Sequence, residues 1–301
     1  MQSGAIRPIP NMLPRKLFTS EHEAFRETVR KFYEKEVVPN IEKYEKQQHV
    51  DRDLWNKAGE LGLLCTTMPE QYGGSGVDRL YSMILIEEQA YAMDSSTGFS
   101  LHSDIVANYI NNFGNEEQKQ KWLPKMATGE TVTAIAMTEP GTGSDLQAVR
   151  TTAALDGDEY VINGSKIFIT NGYLCDMAIV VCKTGNNEKG SANLSLIIVE
   201  ADRAGFSKGK PLNKIGMKGQ DTCELFFDNV RVPKENLLGM EGMGFIMLMK
   251  ELAWERMLVA IICQAGAEAA FAHTVQYTKD RKAFGKPIGT FQNTRFKLAE
   301  L

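Results

Sequence analysis

The spacing of apolar residues changes twice along this chain, and the changes divide it into three parts. From Ser20 to about residue 128, apolar side chains recur every three or four positions, as in amphipathic helices. From about residue 131 the pattern becomes short β-rich runs separated by turn clusters, and helical spacing returns after Asn236. We therefore predict an α+β fold with a helical domain (1–130), a middle β domain that is a barrel or a sandwich (131–236) and a second helical region (237–301).

Local signals predict where the helices begin and end. Ser20 and Glu23 have the spacing of a capping box that would begin the first helix. The last region predicts one long apolar helix from about Gly242 to Asp280 and a second helix beginning near Phe291. The chain stops at Leu301 within this second pattern, with no capping residue behind it, so we expect that a C-terminal portion is missing.

Composition indicates a globular chain that is long enough for more than one core. Of 301 residues, 43% are hydrophobic and 24% are charged. The formal net charge of −4 gives no support for nucleic-acid binding. No apolar run approaches the roughly 18 to 20 residues that a membrane-spanning helix needs, so we expect no integral membrane segment.

Cysteine usage and the N-terminus bear on the cellular compartment. The five cysteines are an odd number without a C-x-x-C pair, which favours a reducing compartment over a disulfide framework or a zinc site. The four histidines have no metal-ligand spacing, so no metal is implied. Pro8, Pro10 and Pro14 exclude the amphipathic helix of an import sequence, so we expect a cytoplasmic protein, with the mitochondrial matrix as the alternative.

Two segments of the predicted β domain have the composition of a ligand site. Met137–Asp145 ends an apolar run with proline, two glycines, two hydroxyl residues and an acid, which predicts a tight, donor-rich loop suited to a phosphate. Asn163–Gly172 places Phe168 and Thr170 on one face of a strand, because side chains alternate there with period two. A flat apolar ring beside a hydroxyl would suit a planar heterocycle.

These two segments resemble the TEPxxGSD and KxxIT segments that hold FAD in the acyl-CoA dehydrogenase family of flavoproteins. The resemblance covers almost the whole chain and includes Met68–Gly76, Gly114–Lys119, Phe226–Pro233 and Arg281–Gly285. It implies a fold that begins with a helical domain, continues with a middle β domain and starts a C-terminal helical bundle. It also implies that the protein is a homodimer or homotetramer.

The resemblance assigns cofactor-binding roles residue by residue. Met137 and Thr138 would meet the pyrimidine edge of the flavin, and Gly143 and Ser144 would meet the pyrophosphate. In the second segment, Phe168 would stack near the ring, Ile169 would belong to the same site, and Thr170 would form a hydrogen bond near N5. Three further residues would reach the FAD of a neighbouring subunit, namely Arg281, Phe284 and Gln292.

Glu255 is the candidate catalytic residue. A carboxylate in an apolar helix is costly to ionise, so burial would raise its pKa toward the range of a general base at neutral pH. An ion pair with Arg256 or a solvated position explains the residue equally well on physical grounds alone. Its L-x-x-E-R context is similar to that of the base in the long-chain and isovaleryl type of the family, which implies that Glu255 removes the α proton of an acyl-CoA while the flavin accepts a hydride.

The resemblance implies electron-transferring flavoprotein as the partner, and it places Ser144, Ser191, Trp254 and Arg256 near the acyl-CoA. Trp254 beside the base would either shorten the acyl pocket or line a branched one, and we expect a medium-to-long or branched acyl chain. Two alternatives remain at this point. One is a flavin oxidase or monooxygenase on the same fold, and the other is a truncated chain that binds acyl-CoA without turnover because the later helices are missing.

Overall fold

The computed structural model describes residues 15–185 and 193–301, and this part of the chain has three successive regions. The order of helices, strands and helices confirms the predicted α+β fold. The helices are Ser20–Phe32 (α1), Ile41–Gln47 (α2), Arg52–Glu60 (α3), Arg79–Tyr91 (α4), Ala107–Phe113 (α5), Glu116–Ala127 (α6), Gly244–Asp280 (α7) and Gln292–Glu300 (α8). The strands are Thr133–Ala136 (β1), Thr152–Asp156 (β2), Glu159–Thr170 (β3), Met177–Lys183 (β4), Leu194–Glu200 (β5), Phe206–Lys208 (β6), Thr222–Pro233 (β7), Leu237–Leu238 (β8), Lys282–Ala283 (β9) and Lys286–Pro287 (β10).

The capping box of α1 lies one residue before the predicted one. Thr19 is the N-cap: its hydroxyl accepts a hydrogen bond from the His22 amide, and its own amide donates to Nδ1 of His22 at 3.1 Å. The prediction of Ser20 and Glu23 is therefore wrong. The imidazole can complete the box because His22 is buried, with its ring 4.6 Å from the ring of Tyr81.

The first region has its own apolar core. Trp55 of α3 is only 1% exposed and packs edge-on against Phe99 at 4.9 Å between ring centroids. Val29 of α1 and Ile84 of α4 close the same cluster. Burial of these faces stabilises the short helices, which would be marginal in isolation.

The strands of the β region form two halves that share a core. In the described residues the strand order is β6-β7-β3-β2-β4-β5-β8, with β1 paired to β4 in parallel. The two halves join through a single residue pair, Thr152 of β2 and Lys183 of β4. Side chains from both halves, including Ile162 of β3 and Val180 of β4, fill one apolar cluster.

The half formed by β1, β4 and β5 is also covered by helices on its outer face. Ile179 and Leu196 belong to a cluster with Tyr109 of α5, Leu123 of α6 and Leu248 of α7. A strand that is buried on both faces carries a continuous apolar run, as β4 and β5 do. This contact fixes α5 and the start of α7 against the β region.

The long helix α7 bears on the expectation that the chain has no integral membrane segment. By length and composition it is apolar enough to cross a membrane, although no such segment was predicted. Core helices of soluble proteins pass the same test, so one such helix is weak evidence. α7 packs against α4 and α5 and carries Glu251 and Glu255 along its length, which is the arrangement of a helix within a domain.

Candidate active site

The Met137–Asp145 segment forms a tight loop directly after β1. Glu139 and Thr142 exchange backbone hydrogen bonds of 2.9 and 3.0 Å across Pro140 and Gly141, so the chain reverses there. The Thr142 hydroxyl is buried and has no hydrogen-bond partner among the described residues. A Cβ on Gly141 or on Gly143 would meet no protein atom within 4 Å, so the loop borders open space.

A buried ion pair joins this loop to β3. Nζ of Lys166, which is 0% exposed, donates to Oε1 of Glu139 at 2.9 Å and to the carbonyl of Met137 at 3.0 Å. Burial alone would raise the pKa of Glu139, but hydrogen bonds from Thr151 and the Lys166 charge hold it below its ordinary value. Burial lowers the pKa of Lys166. The loop is therefore held against the end of β3 in one arrangement.

A bulge turns Phe168 out of β3. The register with β7 slips between Lys166 and Ile169, and Phe168 has a φ of 61° with 63% of its surface exposed. A positive φ is strained for a residue with a side chain. The predicted period of two is thus interrupted: Ile169 packs in the β core, Thr170 is half-buried, and the Phe168 ring is left at the surface.

Glu255 of α7 is half-buried and faces α5. Its Oε1 accepts a hydrogen bond from the Tyr109 hydroxyl at 2.9 Å. One turn earlier, Oε1 of Glu251 accepts from Nδ2 of Asn112 at 2.9 Å. Burial raises the pKa of Glu255, the Tyr109 bond lowers it, and the Glu251 charge raises it again. The Arg256 side chain is exposed and forms no ion pair with Glu255 among the described contacts.

Glu255 and the loop are connected through one apolar cluster. Met137 of the loop packs on the cluster that contains Tyr109 of α5 and Leu248, two turns before Glu255 on α7. The cluster therefore brings the end of β1, α5 and the first half of α7 together.

The remaining predicted cofactor residues lie beyond the C-terminal end of α7, far from Glu255. Arg281 follows the helix, and Phe284 stands at the tip of the β9–β10 hairpin, 95% exposed and with a φ of 53°. Gln292 begins α8. At a rise of about 1.5 Å per residue, the stretch of α7 from Glu255 to Asp280 is roughly 38 Å long. Within one chain, the hairpin is thus remote from Glu255.

Comparison with known proteins decides the family. Family models described as the N-terminal, middle and C-terminal domains of acyl-CoA dehydrogenase match residues 19–130, 134–230 and 242–301. The long-chain specific acyl-CoA dehydrogenase of Sus scrofa mitochondria is 49% identical over 302 residues, which span 100% of this chain and 70% of the relative. This chain belongs to the acyl-CoA dehydrogenase family.

Solved structures of other acyl-CoA dehydrogenases have the same fold. That from Geobacillus kaustophilus is 49% identical, has a TM-score of 0.93, and is matched over 95% of this chain and 76% of its own. The structure from Bacillus anthracis, complexed with FAD, is 38% identical and has a TM-score of 0.88. The match covers 96% of this chain and 50% of that one. The relatives thus include mitochondrial and bacterial enzymes.

The acyl-CoA dehydrogenase fold brings some of the predicted site residues together and leaves others apart. Met137 and Thr138 are half-buried in the loop, and Gly143 and Ser144 are exposed on it. Trp254 lies next to Glu255, with the Arg79 guanidinium 4.4 Å from its ring centroid. Ser191 lies outside the described residues.

Sequence reasoning missed three residues that support this site. Lys166 and Glu139 lie within the two ligand-site segments without an assigned role, although a lysine in an alternating apolar strand is a signal of a buried pair. Tyr109 carried no local signal, because its partner Glu255 lies 146 residues further along the chain.

Proposed function

We propose that the protein catalyses the FAD-dependent α,β-dehydrogenation of acyl-CoA thioesters to trans-2-enoyl-CoA and passes the electrons to electron-transferring flavoprotein. The observation that carries this proposal is Glu255, a half-buried carboxylate on α7 that an apolar cluster connects to the Met137–Asp145 loop. The family to which the chain belongs supports the reaction.

The residues of the loop and of β3 are suited to FAD. The buried Thr142 hydroxyl has no partner among the described residues, and a buried polar group without a partner is costly. The open space beside Gly143 would let a pyrophosphate approach the backbone closely. The exposed ring of Phe168 offers a flat apolar surface at the same end of the β region.

We assign the cofactor contacts on this basis. The residues proposed to hold FAD are Met137, Thr138, Gly143, Ser144, Phe168, Ile169 and Thr170. Ile169 would contribute through its backbone, because its side chain lies in the β core. When bound, FAD would supply the acceptor for the hydride that leaves the β carbon.

Glu255 would act as the general base. Its carboxylate takes the proton from the α carbon of the thioester, and the electron pair of that C–H bond becomes part of the new double bond. Burial raises the pKa of Glu255, which brings its proton affinity closer to that of a base working near neutral pH. Ser144, Ser191, Trp254 and Arg256 are proposed to contact the acyl-CoA.

The remote hairpin supports an assembly of at least two chains. Arg281, Phe284 and Gln292 are too far along α7 to meet the Glu255 of their own chain, so we propose that they reach the FAD of a neighbouring subunit. The almost fully exposed Phe284 ring would then be covered by that subunit.

Two further proposals concern organisation and compartment. We place the domain boundaries at 130/131 and 236/237, before β1 and before β8, and the short strand β8 then crosses back to pair with β5 of the middle sheet. Four of the five cysteines are buried free thiols, which is consistent with a reducing compartment, and we propose the bacterial cytoplasm.

The decisive experiment is an anaerobic titration of the flavin-loaded protein with butyryl-, octanoyl-, palmitoyl- and isovaleryl-CoA, followed by flavin absorbance. Bleaching of the oxidised flavin band is expected, and the most effective acyl chain identifies the substrate class. An unchanged band with all four would contradict the proposal and favour a binding protein without turnover. In a separate aerobic assay, direct consumption of oxygen during turnover would instead indicate an oxidase.

Glu255→Gln with a Glu241→Gln control tests the base. The first variant should keep its flavin but lose bleaching by a factor of about 10² or more, because a glutamine cannot take the proton. Glu241 lies in the turn before α7 and accepts from the Tyr160 hydroxyl at 3.3 Å, so its variant should behave as the parent protein does. Equal bleaching by all three proteins would exclude Glu255 as the base.

A further inference from the structure

The hydroxyl of Tyr109 forms a hydrogen bond with Glu255, the proposed base. The proton transfer assigned to Glu255 does not by itself explain this contact. Tyr109 is 0% exposed, and its hydroxyl donates to Oε1 of Glu255 across the interface of α5 and α7. In the part of the chain that the structure describes, Oε2 of Glu255 accepts no hydrogen bond. One oxygen is therefore held while the other is available.

The contact belongs to a pair of matched bonds between the two helices. Tyr109 and Asn112, one turn apart on α5, bond to Glu255 and Glu251, one turn apart on α7. Both donors are neutral, so they orient the carboxylates without the strong charge of a lysine or arginine. A cationic partner would hold a carboxylate ionised and make it a poor proton acceptor.

The charged groups around Glu255 do not form the hydrogen bond that Tyr109 forms with its carboxylate. On its own helix, Glu255 has Glu251 one turn before it and the exposed Arg256 next to it. From α4, the Arg79 guanidinium stacks on the ring of Trp254. Among the described residues, the direct hydrogen bond to the Glu255 carboxylate comes from Tyr109.

We infer that Tyr109 is a positioning residue for the base: its hydroxyl holds Oε1 of Glu255, so that Oε2 is presented to the α proton of the substrate. This inference rests on the proposed role of Glu255. Because the phenol donates to the ionised carboxylate, it also favours the form that accepts a proton. Without the hydroxyl, the carboxylate should be less well oriented and should remain protonated to higher pH.

The test compares Tyr109→Phe with Tyr91→Phe in the flavin-loaded full chain. The Tyr91 hydroxyl donates to Oε2 of Glu268 at 2.7 Å, so the control removes an equivalent tyrosine–glutamate bond to α7. The rate of flavin reduction by acyl-CoA is measured against pH. Independently, the pKa of Glu255 is measured without substrate from pH-dependent infrared difference spectra, in which Glu255→Gln assigns the carboxyl band.

In Tyr109→Phe, the acid limb of the pH profile and the infrared midpoint should both move upward by about one pH unit. The limiting rate at high pH should also fall several-fold, because the ionised carboxylate is less well oriented toward the substrate. Tyr91→Phe should match the parent protein in both measurements. An unshifted profile with an unchanged limiting rate in Tyr109→Phe would overturn the inference.

A second variant decides the question if Tyr109→Phe does not fold. Replacement of Tyr109 by 3-fluorotyrosine keeps the ring almost unchanged and makes the phenol a stronger donor, so the Glu255 midpoint should move downward. A midpoint that does not move would overturn the inference. The two proposals fail separately: an active Glu255→Gln contradicts the role of Glu255, whereas an inactive Glu255→Gln with an unshifted Tyr109→Phe contradicts only the role of Tyr109.

Discussion

Nζ of Lys166 donates to Oε1 of Glu139 at 2.9 Å, and this pair joins the two sequence segments that carry the proposed cofactor site. Neither side chain is more than 6% exposed. Glu139 also accepts hydrogen bonds from the Thr151 amide and hydroxyl and from the Arg150 amide. The pair therefore fixes the buried side of the loop after β1, and the outer surface of the loop stays open to a ligand.

Removal of Lys166 should be strongly destabilising. Lys166→Met leaves the Glu139 charge buried without its cation, and we expect the free energy of unfolding to fall by about 3 to 5 kcal/mol, with a loss of bound flavin. Urea denaturation and the flavin-to-protein absorbance ratio measure the two effects.

The matched control for Lys166 is a surface ion pair. Lys234→Met removes the partner of Asp158, where both side chains are largely exposed, so the free energy of unfolding should be almost unchanged. Similar losses in the two variants would contradict the role that we give to the buried pair.

Stability should depend on the protonation of Asp104. Burial raises the pKa of this carboxyl from 3.8 to about 7, although Ser82 hydrogen bonds to it. The folded state then binds a proton that the unfolded state has lost, so the free energy of unfolding should decrease as pH rises from about 4 to about 7. Between pH 5 and pH 8 this group accounts for a decrease of about 2 to 3 kcal/mol.

Asp104→Asn should remove this dependence. Asparagine keeps an acceptor for Ser82 but does not ionise. The free energy of unfolding of the variant should therefore exceed that of the parent protein by most at pH 8. Urea denaturation at several pH values measures the slope, with the exposed Asp53→Asn as a control that should leave it unchanged. The same slope in Asp104→Asn would show that Asp104 is ionised in the folded protein.

Gly143→Ala separates ligand binding from folding. No protein atom lies within 4 Å of a Cβ at this position, so thermal unfolding of the flavin-free protein should not change. FAD affinity should fall by tenfold or more if a pyrophosphate approaches the Gly143 backbone, since the new methyl group would occupy that space. Gly216→Ala has the same open surroundings outside the loop and should leave affinity unchanged. Undiminished FAD affinity in Gly143→Ala would argue against this phosphate position.

Mixed oligomers test the proposal that sites are shared between subunits. Glu255→Gln and Arg281→Ala should each be inactive alone, the second because the neighbouring FAD loses its cation. In a dimer with one chain of each kind, one site keeps both native residues and the other loses both, so about half of the parent activity should return. Differently tagged chains, co-expressed and purified through both tags, give this species. No recovered activity would indicate that Arg281 acts within its own chain.

The sequence predicted features that depend on near neighbours. α7 was predicted from Gly242 to Asp280 and begins at Gly244, because the spacing of apolar residues along one helix is a local property. The same local reasoning placed the first cap at Ser20 instead of Thr19, since two overlapping sequences both had the required spacing and the burial of His22 decided between them.

Features that depend on contacts between distant parts of the chain could not be predicted from local sequence patterns. The bulge at Phe168 arises from a register slip between β3 and β7, and the period of two in the sequence does not record it. The role of Glu139 becomes evident only with Lys166 beside it, 27 residues further along the chain.

The sequence by itself determined the α+β order, the family and the two ligand-binding segments, because these follow from local periodicity and from residue types at fixed spacing. Only the tertiary structure decided which groups surround Glu255, since Tyr109 reaches it by the packing of α5 on α7. The tertiary structure also separated Glu255 from the Phe284 hairpin by the length of one rigid helix. A carboxylate in an apolar helix becomes a candidate base through the neighbours that the fold places around it.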